Sequence, residues 1–273
     1  MIQAGNDTCD RATRRRMLGR LVPLMAIPFV TGCGESEQDV AHAESPSETE
    51  QVPPGLPESQ PQFAQWGRVA ELPQEVVVFR SVFWQPADTD SLRRLITVER
   101  IAEGKTVLEI GTGSGLVSLC CLAAGARSVV ATDINPVAVQ NAIHNAREMG
   151  LADRLQCRLV PRRNPGAWTV IRDSERFDLI ISNPPWELGQ PKEIADFAAY
   201  DPDFRLLKSL ISGAKRKLNP GGTMLLAYGC VTAIRLILQL SADLELKAVI
   251  LDDRDLDELD EVFLPGMLIG ITV

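Results

Sequence analysis

The residues with the clearest chemical potential are Asn183-Pro184-Pro185-Trp186, which directly follow a short apolar run, residues 177–182. Two prolines fix the backbone and remove two N–H donors, so the Asn183 side-chain oxygen and the Pro184 carbonyl are predicted to be fixed acceptors. Two such acceptors can hold an NH₂ group and orient its nitrogen towards an electrophile. Trp186 adds a flat face for a planar amide or base. The alternative is a proline-rich turn with a buried tryptophan.

A second segment, residues 107–115, reads Val-Leu-Glu-Ile-Gly-Thr-Gly-Ser-Gly. An apolar run followed by alternating glycines predicts a buried strand, a sharp turn and then a helix. The N–H groups of such a turn and helix start form a polar cradle for an adenosyl-type ligand. The last glycine of the dinucleotide fingerprint G-x-G-x-x-G is missing, because Leu116 stands at that position.

Two carboxylates accompany this glycine segment. Asp133 follows the next predicted strand, where a carboxylate can accept hydrogen bonds from both hydroxyls of a ribose. Its alternative role is to cap the helix that starts at Pro136. Glu109 ends the strand before the glycines, and it could either face a ligand or bind nearby backbone amides.

Alternating strands and helices must position these residues. The predicted strands are residues 106–110, 128–132, 155–160, 177–182 and 223–228, and the predicted helices are residues 116–124, 136–149, 204–218 and 231–240. Residues 244–251 and 264–273 are predicted to pair as an antiparallel edge. This alternation predicts an α/β fold with a doubly wound, mostly parallel seven-stranded sheet. Before it, residues 75–83 are predicted as a strand or hairpin arm, and residues 91–103 as a helix capped by Asp90 or Ser91.

The first 62 residues differ in composition from the rest. Residues 1–33 contain a basic cluster (Arg14–Arg16), a short apolar run (Leu21–Val30) and Thr31-Gly32-Cys33, and they resemble a twin-arginine export signal ending in a bacterial lipobox. Lipidated Cys33 would then tether the protein to a membrane; the alternative is a disordered basic tail. Residues 34–62 are rich in Glu, Ser, Pro and Gln, which predicts a disordered linker. The folded domain is predicted to comprise residues 63–273.

Composition narrows the classes of function. The net charge of −8 does not suggest a general nucleic-acid binder. Two histidines and six cysteines without a CxxC pair predict that no metal is bound. Local basic residues could contact phosphate, although such runs are usually solvated; they are Arg158, Arg162, Arg163, Lys215, Arg216 and Lys217. Asp201 and Asp203, after the Asn-Pro-Pro-Trp motif, could gate a site, but solvated loop acids are the simpler interpretation.

Residues 78–273 resemble a class I S-adenosylmethionine-dependent methyltransferase of the methyltransferase-small, HemK-like branch, which has an Asn-Pro-Pro-aromatic motif. The resemblance rests on residues 107–115, Asp133, residues 177–186, the Leu-x-Pro-Gly-Gly turn at 218–222 and the substrate-side segment 82–90. It implies that S-adenosylmethionine is bound by Glu109, Gly111, Thr112, Gly113, Gly115, Asp133, Ile134 and Asn183. It also implies that Asn183, Pro184, Pro185 and Trp186 are the catalytic residues.

Two positions depart from the family pattern. Trp186 stands where the family usually has Tyr or Phe, and residues 160–164 lack the acid that often faces the adenine amine. That contact is therefore expected from Asn164 or from the backbone.

The resemblance implies an N-methyltransferase that acts by direct displacement on a protein side-chain amide, such as a glutamine of a release factor. One alternative is methylation of an exocyclic amine of an RNA or DNA base. Another is an exported lipoprotein that keeps the fold as a binding module. The need for the cofactor predicts a cytoplasmic protein, whereas residues 14–33 predict a membrane-anchored lipoprotein.

Overall fold

The computed structural model describes residues 61–273. The export signal, the Cys33 tether and nearly all of the linker are predictions that lie outside these residues. The first described strand is β1 (Phe63–Gly67), and the domain boundaries stay a prediction. No helix among the described residues is long and apolar enough to cross a membrane.

The seven strands of the main sheet are β3 (Thr106–Ile110), β4 (Ser128–Asp133), β5 (Leu155–Leu159), β6 (Phe177–Ser182), β7 (Leu218–Cys230), β8 (Lys247–Ile250) and β9 (Val262–Thr272). Their order across the sheet is β5-β4-β3-β6-β7-β9-β8. The first five pair in parallel, whereas β9 runs antiparallel between β7 and β8. The predicted seven-stranded, mostly parallel sheet with an antiparallel edge is confirmed.

Helices link the strands, and the sheet packs on both faces. The helices are α1 (Asp90–Thr97), α2 (Leu116–Ala123), α3 (Pro136–Glu148), α4 (Arg205–Lys217) and α5 (Val231–Asp243). Along β3, Val107 belongs to one apolar cluster and Leu108 to the other, as expected for a strand whose alternate side chains point to opposite faces. Burial on both faces is typical of parallel sheets.

A small two-stranded sheet precedes this core. Strand β1 pairs antiparallel with β2 (Val76–Phe79), a shorter strand than residues 75–83. Two asparagines of α3 hold β2 in place: Asn145 Oδ1 accepts from Val77 N at 2.9 Å, and Asn141 Oδ1 accepts from Phe79 N at 2.8 Å. Because β2 is fixed in this way, the segment after it is directed over the carboxyl edge of the main sheet.

Helix α1 is shorter than predicted. It ends at Thr97 rather than Glu103, since Arg100 takes a positive φ of 52° that a right-handed helix does not allow. The predicted caps were also wrong, because Thr89 occupies the N-cap position and Asp90 is already helical. The Thr89 hydroxyl is not a cap; it donates to the Pro86 carbonyl at 3.2 Å.

Candidate active site

The glycine loop joins β3 to α2. Gly111, Gly113 and Gly115 all have positive φ, at 77°, 55° and 85°, a region that favours glycine. The N–H groups of Gly111 and Thr112 donate to the Thr132 carbonyl at 2.9 and 3.0 Å, which ties the loop to β4. A Cβ on Gly115 would lie 2.9 Å from Ala142 Cα. Glycine at this position therefore lets α2 and α3 approach closely.

Asp133 links the end of β4 to the glycine loop. Its Oδ2 accepts from Gly113 N and its Oδ1 from Asn135 N, both at 2.8 Å. Asn135, not Asp133, caps α3 by accepting from Val137 N at 3.0 Å, so the capping alternative for Asp133 is not what the structure shows. Desolvation raises the pKa of Asp133 above its ordinary value, although its backbone hydrogen bonds act in the opposite direction.

Glu109 lies buried below the loop with one oxygen engaged. Its Oε2 accepts from Thr112 Oγ1 at 2.7 Å, from Ser118 N at 3.1 Å and from the Ser118 hydroxyl. Burial raises the pKa of Glu109 to about 7, although these hydrogen bonds favour the ionised form. The expected backbone contact is thus present, and the residue still lines the cavity described below.

The Asn-Pro-Pro-Trp motif begins where β6 ends. Ser182 pairs with Ile110 on one side and with Leu226 on the other, so Asn183 emerges at the same sheet edge as the glycine loop. The Asn183 Oδ1 atom is buried and has no hydrogen-bond partner among the described residues. A buried amide oxygen without a partner costs free energy unless a ligand donates to it. Asn183 is therefore poised to accept a hydrogen bond.

Trp186 is partly buried behind the motif. Its ring centroid lies 6.4 Å from that of Tyr228, and the two planes are inclined by 49°. Tyr228 is fully buried in β7, and its hydroxyl has no partner within the described part of the chain. A Cβ on Gly229 would lie 2.4 Å from the Phe263 carbonyl oxygen and 3.1 Å from Trp186 Cζ2, so the backbone of β9 and the indole both come close to this glycine. Packing therefore restricts the orientation of the Trp186 ring.

A cavity of about 400 Å³ brings the predicted residues together. Its lining includes Glu109, Gly111, Thr112, Gly113, Asp133, Ile134, Asn183, Pro184, Pro185 and Trp186. Gly115 does not line it, since Gly115 acts at the contact between α2 and α3. Asn164, the expected adenine contact, does not line the cavity either; it is exposed, and its carbonyl accepts from Thr169 Oγ1 at 3.0 Å.

The charged side chains around this cavity are mostly acidic: Asp88, Glu109, Asp133, Glu187, Asp201 and Arg205. The Arg205 guanidinium is exposed and lies 3.4 Å from Asp203. A cleft lined mainly by charges of one sign focuses the electrostatic field. This predominantly acidic lining therefore favours a ligand that carries positive charge.

Asp201 is not the solvated loop acid that the sequence suggested. It is buried, and its carboxylate caps α4 by accepting from Leu206 N at 2.8 Å and from Leu207 N at 3.0 Å. Asp203 is exposed, as expected. The segment that follows the motif is thereby anchored to the start of α4.

The basic residues do not form one surface. Lys217 is buried and donates to the Arg172 carbonyl at 2.6 Å, whereas Arg158 pairs with Glu175 at 2.6 Å. Lys217 is therefore not solvated, contrary to the expectation for the basic runs. Arg162 is the one nearest the cavity lining: its guanidinium lies 5.5 Å from the ring centroid of Phe197, a lining residue.

Sequence reasoning assigned no role to two polar residues at this edge, Asp88 and Tyr228. Asp88 belongs to segment 82–90, which contributes to the family resemblance. Its burial is not evident from the local sequence, which reads as a polar turn. In the described part of the chain, no group of His, Cys, Asp and Glu residues could hold a metal ion.

Several known methyltransferases are similar to this chain in sequence. Residues 90–184 match the family described as ribosomal protein L11 methyltransferase (PrmA). A release factor glutamine methyltransferase of Cereibacter sphaeroides is 30% identical over 191 residues, which cover 59% of this chain and 63% of the relative. A tRNA1(Val) (adenine(37)-N6)-methyltransferase of a Flavobacteriaceae bacterium is 35% identical over 94 residues, which cover 34% of this chain and 38% of the relative.

Among solved structures, the ribosomal protein L11 methylase of Lactobacillus delbrueckii subsp. bulgaricus superposes with a TM-score of 0.52 at 20% identity, covering 70% of this chain and 80% of that one. Together with the sheet order, these matches show that the described residues have the fold of the class I S-adenosylmethionine-dependent methyltransferases. The sequence similarity of residues 90–184 and of the curated relatives implies S-adenosylmethionine as the cofactor. The chain spans less than two thirds of the length of the two curated relatives.

Proposed function

We propose that this protein transfers a methyl group from S-adenosylmethionine to the side-chain amide nitrogen of a protein, most simply a glutamine. The buried, unpartnered Oδ1 of Asn183 carries this proposal. It lies at the cavity edge shared with the glycine loop, and it needs a hydrogen-bond donor that an amide NH₂ supplies.

The cavity fits the cofactor in charge and in shape. S-adenosylmethionine carries a sulfonium and an ammonium against one carboxylate, which suits a predominantly acidic lining. No atom lies within 4 Å of the point where a Cβ of Gly111 would be, so a ligand has room beside the loop. In this proposal Asp133 and Ile134 hold the adenosine part, while Glu109 and the glycine loop hold the remainder.

The chain's own residues would act by positioning. The Asn183 side-chain oxygen and the Pro184 carbonyl accept the two amide N–H groups, and the Trp186 ring packs against the amide plane. This arrangement turns the nitrogen lone pair towards the cavity. When S-adenosylmethionine is bound, it would supply an electrophilic methyl group there. The N–C bond would form as the S–C bond breaks, S-adenosylhomocysteine would leave, and one amide proton would pass to solvent.

The acidic lining favours a protein acceptor over a nucleotide. A nucleotide brings phosphate groups, which a predominantly acidic lining disfavours. An amide side chain on a protein brings no such charge. A relative that matches 59% of this chain is described as a release factor glutamine methyltransferase, which supports the same choice.

Methylation of a nucleic-acid base amine is the second candidate. An exocyclic NH₂ has the same two donors, and a relative described as a tRNA adenine methyltransferase is 35% identical over 94 residues. Arg162 is exposed beside the cavity lining and could meet a phosphate.

A deletion strain distinguishes the two candidates. Mass spectrometry of its peptides should show loss of a methylated side-chain amide, restored by the wild-type gene and not by Asn183→Ala. Nucleoside analysis of the same cells should be unchanged. Loss of a methylated nucleoside with intact peptide methylation would replace the first candidate with the second.

We also propose that the protein works in the cytoplasm, because that compartment makes the cofactor. Residues 14–33 support a lipid tether through Cys33 as the alternative. Fractionation of cells that express wild type or Cys33→Ser tests this point. Membrane association that disappears in the variant would favour the tether, and it would also favour the exported binding module over the enzyme.

A further inference from the structure

Asp88 is a buried carboxylate that the function described above does not use. Its side chain lines the cavity, yet only 4% of the residue is exposed. Its Oδ1 is buried and unpartnered among the described residues, like that of Asn183. Desolvation alone raises the pKa of Asp88 above its ordinary value. A carboxylate in this setting is costly to keep without a donor.

The turn that carries Asp88 is held rigidly by a different residue. Arg93 donates to the Pro86 carbonyl at 3.0 Å and to the Thr89 hydroxyl at 3.3 Å. Its guanidinium also pairs with Glu71. The Arg93 guanidinium thus contacts residues on both sides of Asp88, and Asp88 itself is not one of its hydrogen-bond partners. Such a fixed, unpaired acceptor is pre-organised for a ligand.

The strand order indicates on which side of the cavity Asp88 lies, relative to Asn183 and Asp133. The 3₁₀ turn Pro86–Thr89 contacts β9, and β9 neighbours β7. Strand β7 in turn neighbours β6, which ends at Ser182 just before Asn183. Asp133 lies at the end of β4, on the opposite side of β3 from β6. The turn that carries Asp88 therefore contacts the half of the sheet that includes β6 and Asn183, and Asp133 belongs to the other half.

We propose that Asp88 is a second recognition residue for the methyl acceptor. Its carboxylate accepts a hydrogen bond from an N–H of the polypeptide that presents the amide. This inference rests on the proposed function, in which Asn183 and Pro184 already use the two N–H groups of the amide itself. A polypeptide offers further N–H donors next to the reactive side chain, and a simple amide does not.

Two small amides separate these contacts. N-acetylglutamine methylamide has backbone N–H groups as well as the side-chain amide, whereas propionamide has only the amide. Their binding to the protein saturated with S-adenosylhomocysteine is measured by NMR titration for wild type, Asp88→Asn and Asp90→Asn. Asp90 is the matched control, since it lies on the same segment, is largely exposed and does not line the cavity. Its contact with Arg93, at 3.5 Å, is longer than those that Arg93 makes with Pro86 and Thr89.

Asp88→Asn should weaken N-acetylglutamine methylamide roughly ten-fold, the effect expected for losing a charged acceptor, and should leave propionamide unchanged. Asp90→Asn should change neither. Affinity for S-adenosylhomocysteine should stay within about two-fold, and the melting temperature should not fall, because the variant removes an unpaired buried charge.

Equal binding of N-acetylglutamine methylamide by wild type and Asp88→Asn would overturn the assignment while leaving the proposed function standing. A large loss of S-adenosylhomocysteine affinity would also overturn it, by assigning Asp88 to the cofactor. If wild type bound neither amide, the proposed function would fail, and the role of Asp88 would fail with it.

Discussion

The backbone N–H of Gly113 donates to Oδ2 of Asp133 at 2.8 Å, so the glycine loop and the end of β4 form one unit. The loop is held in shape by the carboxylate that is proposed to bind the ribose. Loop geometry and ribose binding are therefore coupled through a single side chain.

This coupling predicts a severe effect of Asp133→Ala on cofactor binding. The variant loses a charged acceptor for the ribose, where each hydrogen bond to a charged group contributes about 1.5–3 kcal/mol, and it also releases the loop. Affinity for S-adenosylhomocysteine, measured by isothermal titration calorimetry, should fall at least ~100-fold. Asp153→Ala, at an exposed acid outside the cavity, is the control. Equal losses in both variants would contradict a ribose role for Asp133.

The contact between α2 and α3 predicts that Gly115→Ala is strongly destabilising. A left-handed conformation costs a non-glycine residue roughly 1–2 kcal/mol, and a Cβ placed 2.9 Å from Ala142 Cα adds overpacking. The free energy of unfolding in urea should fall by about 3 kcal/mol.

Gly150→Ala is the matched control for this experiment. Gly150 also has a positive φ, of 66°, but no atom lies within 4 Å of its added Cβ. The free energy of unfolding of Gly150→Ala should therefore fall by about 1 kcal/mol, the cost of a left-handed backbone conformation alone. Similar losses in the two variants would show that the helix contact is not the cause.

The raised pKa of Glu109 predicts that the free energy of unfolding depends on pH. Its folded pKa of about 7 is raised above the ordinary 4.5, so the folded state favours the protonated form. The stabilisation from this group is full below pH 4.5 and is lost as the pH rises through 7. Glu109→Gln stays neutral, and its free energy of unfolding relative to wild type should rise by about 3 kcal/mol between these limits. Urea unfolding curves at pH 5 and pH 8 that shift in parallel would contradict the raised pKa.

Some of the fold follows directly from the sequence. Strands β3 and β6 begin and end at the predicted residues because each is an apolar run that stops at a change in side-chain character. The glycine loop, Asp133 and the Asn-Pro-Pro-Trp motif were placed correctly at one edge, since parallel strands bring their carboxyl ends together.

Other features depend on contacts between distant residues. The Asn135 cap, the burial of Asp201 and the pairing of β1 with β2 each depend on which side chains meet in three dimensions. The sequence around Asp88 and Asp90 reads as one polar turn, yet one acid is buried in the cavity wall and the other is exposed. Local composition does not distinguish them.

Methylation of a protein side-chain amide is tested by following the methyl group itself. Purified protein is incubated with methyl-tritiated S-adenosylmethionine and an extract of the deletion strain, and label is counted in protein and in nucleic acid. We expect labelled protein whose acid hydrolysis releases labelled methylamine, as an N-methylated amide requires, and at least ~100-fold less label with Asn183→Ala. Label that appears in nucleosides, or that Asn183→Ala transfers as well as wild type, would contradict it.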